Sequence, residues 1–163
     1  MLDTSSVSYP RHVRHQDEGP IAADALDRVS WALRQADWAV QGLKEQRLRS
    51  LGMAAAHYSL LICVHTEPGL TGAEAARRLN VTPQAVASLV SRLEGRGQLE
   101  RRSHPRHRHV QELHLTDAGR EVLRGADDVV SEIEEQIARK LGRDDTTRLT
   151  ALLGQVADAV RDA

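Results

Sequence analysis

Leu79-Asn80-Val81-Thr82-Pro83-Gln84-Ala85-Val86-Ala87-Ser88-Leu89-Val90-Ser91-Arg92-Leu93 decides how the rest of the chain is read. Thr82 is a good N-cap, and Pro83 suits the first helical position because its missing N–H would be unpaired there anyway. A helix therefore starts at this pair. Val86, Leu89, Val90 and Leu93 recur at helical spacing and form one apolar face, while Gln84, Ala85, Ser88 and Arg92 fall on the other. That outer face is short, polar and free of carboxylates, which suits close approach to phosphates and base edges. An ordinary amphipathic helix would show the same apolar face, so the flanking sequence has to separate the two readings.

Upstream, Pro68-Gly69-Leu70-Thr71 reads as a turn with Thr71 as cap, followed by a short helix to Leu79 and Asn80 as a left-handed stop. Two short helices joined by a tight turn make a helix-turn-helix. Downstream, Gly95 and Gly97 break the second helix, and Leu99–Arg102 and Val110–Leu115 read as two short strands. The loop between them, Ser103-His104-Pro105-Arg106-His107-Arg108-His109, contains no acid. A hairpin with a basic tip beside a recognition helix is a wing. From Arg77 to His109 there are eight arginines against two acids, a local net of +6 in a chain whose formal net charge is −1. Basicity concentrated in this way is the electrostatic footprint of a nucleic-acid surface.

With these motifs in register, the sequence resembles the MarR (multiple antibiotic resistance regulator) family of winged-helix transcription factors. The resemblance is carried by Glu67-Pro68-Gly69-Leu70-Thr71, Val81-Thr82-Pro83-Gln84, Leu93-Glu94-Gly95-Arg96-Gly97 and Leu115-Thr116-Asp117-Ala118-Gly119-Arg120, and extends more loosely from about Ala23. One departure stands out. Counted back from Leu115-Thr116, the family's usual Asp-x-Arg at the wing falls on His107-Arg108-His109, so both its acid and its arginine are histidine here.

Mainly α structure with a small β-hairpin wing is the expected fold, a winged helix-turn-helix whose amino- and carboxy-terminal helices form a dimerisation domain. Residues 1–20 read as a tail in which Arg11, His12, Arg14 and His15 are the only candidates for DNA phosphates. Residues 21–53 hold a long helix from about Ala22 to Arg49. Its Leu26, Val29, Leu33, Ala36, Val40 and Leu43 make a heptad-like seam, and Trp31 and Trp38 a second stripe. Two apolar stripes require cover on two sides, by the chain itself and by a second copy. Residues 54–115 hold the DNA-binding region, opened by a core helix over Ala54–Thr66. Residues 116–163 hold a long helix capped by Thr116-Asp117 and ended by Gly142, then a last helix capped by Asp144 or Asp145. From Asp117 on, eleven acids face seven bases, which keeps this end away from DNA and suits dimerisation.

Composition agrees with one soluble domain of 163 residues, 28% charged and 40% hydrophobic. Phenylalanine is absent, so the core must be built from Leu, Val, Ile and Ala. No apolar run reaches membrane-spanning length and no signal-peptide core is present, so the expected location is cytoplasmic. The single cysteine excludes an intrachain disulfide framework.

A two-fold dimer would place two recognition helices in successive major grooves, roughly 34–36 Å apart, on a pseudo-palindrome of double-stranded DNA. Arg77, Arg92 and Arg101 would set register on phosphates, and Gln84, Ala85 and Ser88 would touch base edges. Arg106 and Arg108 would reach the minor groove, flanked by His107 and His109. Thr71, Thr82 and Pro83, at the two helix starts, complete the DNA-facing set. Where the family binds effectors, Trp31, Trp38, His57 and Tyr58 offer a pocket for a planar aromatic or phenolic ligand; the same tryptophans would also seal a dimer interface. Cys63, between Ile62 and Val64, reads as a packed thiol rather than a redox sensor. His104, His107 and His109 are interleaved with arginine and lack a cysteine or carboxylate beside them, so no metal and no cofactor are assigned. No phosphate-cradling loop, nucleophile elbow or His-Glu-x-x-His helix occurs, which argues against an enzyme. The resulting reading is a homodimeric repressor released by a small molecule. An architectural DNA-binding protein and a metal-responsive regulator remain the alternatives.

Overall fold

The structure, a computed structural model, describes residues 25–107 and 109–161; the segment read as a tail and Arg108 of the wing lie outside them. The described residues divide into two compact units, one ending at Ala39 and the other beginning at Val40. In the first, a 3-10 turn at Ala25–Asp27 leads into helix α1 (Val29–Leu48), which continues into the second. Trp31 and Trp38, two turns apart, meet edge to face with ring centres 6.2 Å apart. The guanidinium of Arg34 sits 4.8 Å above the Trp38 ring. Leu26 and Val29, which open the heptad-like seam, are exposed.

The second unit completes α1 and adds α2 (Ala55–Thr66), β1 (Leu70–Thr71), α3 (Gly72–Leu79), α4 (Pro83–Gly95), β2 (Leu99–Ser103), β3 (Gln111–Leu115), α5 (Asp117–Leu141) and α6 (Arg143–Arg161). Ala54 cannot cap α2 with a side chain, so Glu45 does it from α1, its carboxylate accepting from the amide of Ala55 at 2.8 Å. Between them Gly52 takes φ +65°, which turns the chain after a 3-10 segment at Arg49–Leu51.

Leu48, Leu60, Leu61, Val64, Val86, Val90, Leu93, Leu113 and Ile133 are completely buried, so the core is aliphatic as the missing phenylalanines require. Strands pair in the order β1-β3-β2, all antiparallel. Leu99 faces Leu115 across β2 and β3, and Leu70 faces Leu113 across β1 and β3. This puts the apolar residues of β2 against α4, of β3 against α2 and of β1 against α3, in one core. β1 was read from sequence as turn and cap alone; two residues are too few to show strand periodicity.

Thr116 caps α5, and Gly142, at φ +87°, ends it. α6 begins directly at Arg143, so Asp144 and Asp145 lie inside its first turn and are not its cap. There they complement the positive end of the helix dipole. α6 buries none of its residues, and Leu149, Leu152, Leu153 and Val160 are exposed. Cys63 packs half-buried against the core, and burial raises its thiol pKa, as expected of a packed thiol. Among the described residues no helix is long and apolar enough to cross a membrane.

Candidate nucleic-acid interface

α3 and α4 are each capped at the N-terminus by a threonine side chain and closed at the C-terminus by backbone hydrogen bonds. Thr71 and Glu74 form a reciprocal capping box: the Thr71 hydroxyl accepts from the Glu74 amide at 3.3 Å, and the Glu74 carboxylate accepts from the Thr71 amide at 2.8 Å. The hydroxyl also donates to that carboxylate at 2.6 Å, so it is occupied within the cap. Asn80 adopts φ +51° and closes α3, and Val81 donates back to the carbonyl of Ala76. Thr82 accepts from the amide of Ala85 at 3.1 Å, with Pro83 in the first turn of α4. These caps set the angle between the two helices of the motif.

α4 buries Val86, Val90 and Leu93, with Leu89 half-buried, and exposes Gln84, Ala85, Ser88 and Arg92. The two faces divide as the sequence pattern requires. The exposed one holds small polar groups and a single cation.

Arginines around this face differ in freedom. Arg78 pairs with Glu67, Arg101 with Glu94 at 3.3 Å, and Arg102 with Glu100 at 2.5 Å. Arg96 donates to the carbonyl of Gly52 at 3.2 Å, tying the end of α4 to the turn before α2. Arg77, Arg92 and Arg106 are exposed and have no ion pair among the described residues. Of the phosphate candidates, Arg77 and Arg92 are therefore the freer, whereas Arg101 shares its charge with Glu94.

At the wing, β2 and β3 pair Arg102 with Glu112 and Glu100 with His114. The tip returns through a bond from the His104 amide to the Val110 carbonyl at 2.9 Å and one from the Val110 amide to the His107 carbonyl at 2.7 Å. His107 lies 5.0 Å from the ring of His104 and 6.2 Å from that of His109. Even so, no three His, Cys, Asp or Glu among the described residues are arranged to hold a metal ion. Glu112, which sequence reasoning passed over, sits half-buried with His114 Nε2 3.1 Å from its carboxylate. Its signal was that it is one of only two acids, with Glu100, in a hairpin otherwise rich in arginine and histidine.

His57 is 5% exposed, and neither of its ring nitrogens has a partner. Burial lowers its pKa, Arg96 and then Arg92 add to the shift, and Glu45 opposes them. Tyr58 beside it donates to Asp127 at 2.8 Å, and burial together with that bond pushes its phenol pKa far up. A hollow of about 460 Å³ opens between α2 and α5, lined by Ile62, His65, Arg120, Leu123, Arg124 and Asp127; neither His57 nor Tyr58 lines it. Trp31 and Trp38, the other two ligand candidates, belong to the amino-terminal unit.

The MarR family model matches residues 51–108. No curated protein matches the sequence significantly. Among solved structures, the chain is similar to the transcriptional repressor CouR bound to a 23-mer DNA duplex, with a TM-score of 0.75 and 27% identity over 86% of this chain and 99% of that one. The same repressor bound to p-coumaroyl-CoA gives 0.72 and 27% over 83% of this chain and 96% of that one. Wild-type apo MarR from E. coli gives 0.71 and 21% over 79% and 96%, a likeness of fold.

Proposed function

We propose that this chain, whose residues 51–108 match the MarR family model and whose fold is similar to that of a repressor solved on DNA, is a homodimeric repressor of a pseudo-palindromic operator, released by a small aromatic or phenolic ligand. The observation that carries this reading is the exposed, acid-free face of α4 with a basic wing beside it, in a chain similar to a repressor solved on DNA. Gln84, Ala85 and Ser88 read base edges; Arg77 and Arg92, with Arg101, hold phosphates; Arg106 and Arg108 grip from the wing. The dimer is supported by the exposed apolar positions Leu26 and Val29 before and within α1, and by Leu149, Leu152, Leu153 and Val160 of α6. Residues 21–53 and 116–163 are the dimerisation regions in this reading, and 54–115 the DNA-reading region.

A ligand response has support of a different kind. His57 keeps two buried nitrogens without partners at the junction of α2 with the end of α4, where a polar ligand group would satisfy one of them. A ligand that favours one spacing of the two recognition helices over another changes DNA affinity by its differential binding alone.

Selection of genomic fragments by the purified full-length protein at physiological salt, followed by footprinting, tests the function. One enriched pseudo-palindrome with two protected half-sites about one helical turn apart is the expected result. Weak enrichment without a shared motif would overturn it.

A further inference from the structure

Two backbone amides at the tip of the wing, those of Arg106 and His107, donate to a single atom, Nδ1 of His104, at 3.0 and 3.1 Å. A ring nitrogen accepts only when it carries no proton, so His104 is held as the tautomer with its hydrogen on Nε2. That nitrogen faces Oε1 of Glu112 at 3.8 Å, too far for a hydrogen bond but close enough for the carboxylate to favour a hydrogen there. Glu112 is itself confined. Its other oxygen takes His114 Nε2 at 3.1 Å, Arg102 stands opposite it on β2 and Thr71 on β1, and the Cα of Gly69 approaches so closely that a β-carbon there would touch the carboxyl at 3.5 Å. The carboxylate thus reaches the tip from the best-anchored strand of the sheet.

From this geometry we infer that His104 is the positioning residue of the wing. Its neutral imidazole, oriented by Glu112, does what the side-chain oxygen of Asp, Asn or Ser does in a capped turn, and fixes Pro105-Arg106-His107 before DNA arrives. Without it the tip would be ordered only on binding, at the expense of affinity. His104 does not itself face DNA in this role, because Nδ1 is occupied inside the loop and Nε2 is turned to Glu112. The effect on DNA rests on the reading of the wing as a DNA grip; the brace does not.

Four variants of the full-length protein test it: His104→Ala, His104→Asn, Glu112→Gln and Arg106→Ala. Nitrogen NMR of the wild-type rings should show His104 as the Nε2–H tautomer, and an Nδ1–H signal would overturn the assignment. In the DNA-free protein, His104→Ala should speed exchange of the Arg106 and His107 amides by about tenfold, and His104→Asn, which restores an acceptor, should return it to within about twofold. Glu112→Gln should produce a smaller acceleration of the same two amides. On a mixed-sequence duplex at fixed salt, His104→Ala should weaken binding by about three- to tenfold, with recovery in His104→Asn. Unchanged exchange in His104→Ala refutes the brace. Altered exchange with DNA affinity unmoved in every variant, Arg106→Ala included, refutes the wing as a grip and leaves the brace standing.

Discussion

A β-carbon on Gly119 would lie 1.9 Å from the carbonyl oxygen of Gln98. The first turn of α5 is pressed this closely onto the turn that ends the recognition helix, and Thr116 stitches the two together. Its hydroxyl donates to the Gly97 carbonyl at 2.6 Å and accepts from the Gly119 amide at 3.0 Å, while its own amide donates to Gln98 at 3.3 Å. Backbone meets backbone here, so no side chain can swing aside. Gly119→Ala should therefore destabilise the protein by about 2–4 kcal/mol in urea unfolding. Gly125, further along the same helix with nothing within 4 Å of its added β-carbon, supplies the control. Alanine there should stabilise by roughly 0.5–1 kcal/mol.

Thr71 and Glu74 make a second prediction. The side-chain bond from Thr71, and then its backbone amide, hold the Glu74 carboxyl below the usual carboxylate range. A lowered folded-state pKa means that this contribution to stability is present at neutral pH and is lost as pH falls through the folded value. Thr71→Ala should return the Glu74 pKa towards its ordinary value in a carbon NMR titration and cost about 1 kcal/mol at pH 7. An unmoved Glu74 titration would show that the cap does not hold the charge.

Much of this motif was legible before any coordinates because its signals are local. Thr71, Asn80, Thr82, Pro83 and Thr116 each act on backbone within about one turn of themselves, and each stands where the sequence pattern put it. Features that depend on distant partners were not legible. The two-residue β1 exists only through its pairing with β3, and Glu45 caps α2 from another helix. The closeness of Gly119 to Gln98 could be suspected only from a glycine in the first turn of a helix. His104 did carry a local signal, an acceptor just before Pro105, but reading it requires treating imidazole as a substitute for an Asx oxygen.

His57 predicts a component of acid sensitivity. Burial lowers its pKa in the folded protein, with Arg96 and Arg92 contributing, so the unfolded chain binds the proton more tightly. Stability is then complete above the ordinary histidine value of about 6.5 and falls as pH drops below it towards the lower folded value. His57→Leu removes both the titration and the two unpartnered nitrogens. Its urea midpoint should exceed that of the wild type by more at pH 5 than at pH 7, with a gain on the order of 1 kcal/mol at the lower pH. The same pH slope in both proteins would place this sensitivity elsewhere.

On DNA, the two halves of the interface should fail differently. Arg106 is exposed at the tip without an ion pair among the described residues, which leaves its charge available for the phosphate contact proposed for it. Replacing Arg106 and Arg108 together by Ala should weaken operator and random DNA alike and reduce the salt dependence of binding by about one ion per arginine that touches phosphate. Gln84 and Ser88, on the exposed face of α4, carry no charge to lose. Gln84→Ala or Ser88→Ala should lower preference for the operator by about 1–3 kcal/mol at nearly constant affinity for random duplex. Titrating both DNAs against each variant at two salt concentrations separates the effects. If the wing pair and the helix pair lose selectivity equally, recognition is not divided between them, because a contact that senses only phosphate cannot distinguish one sequence from another.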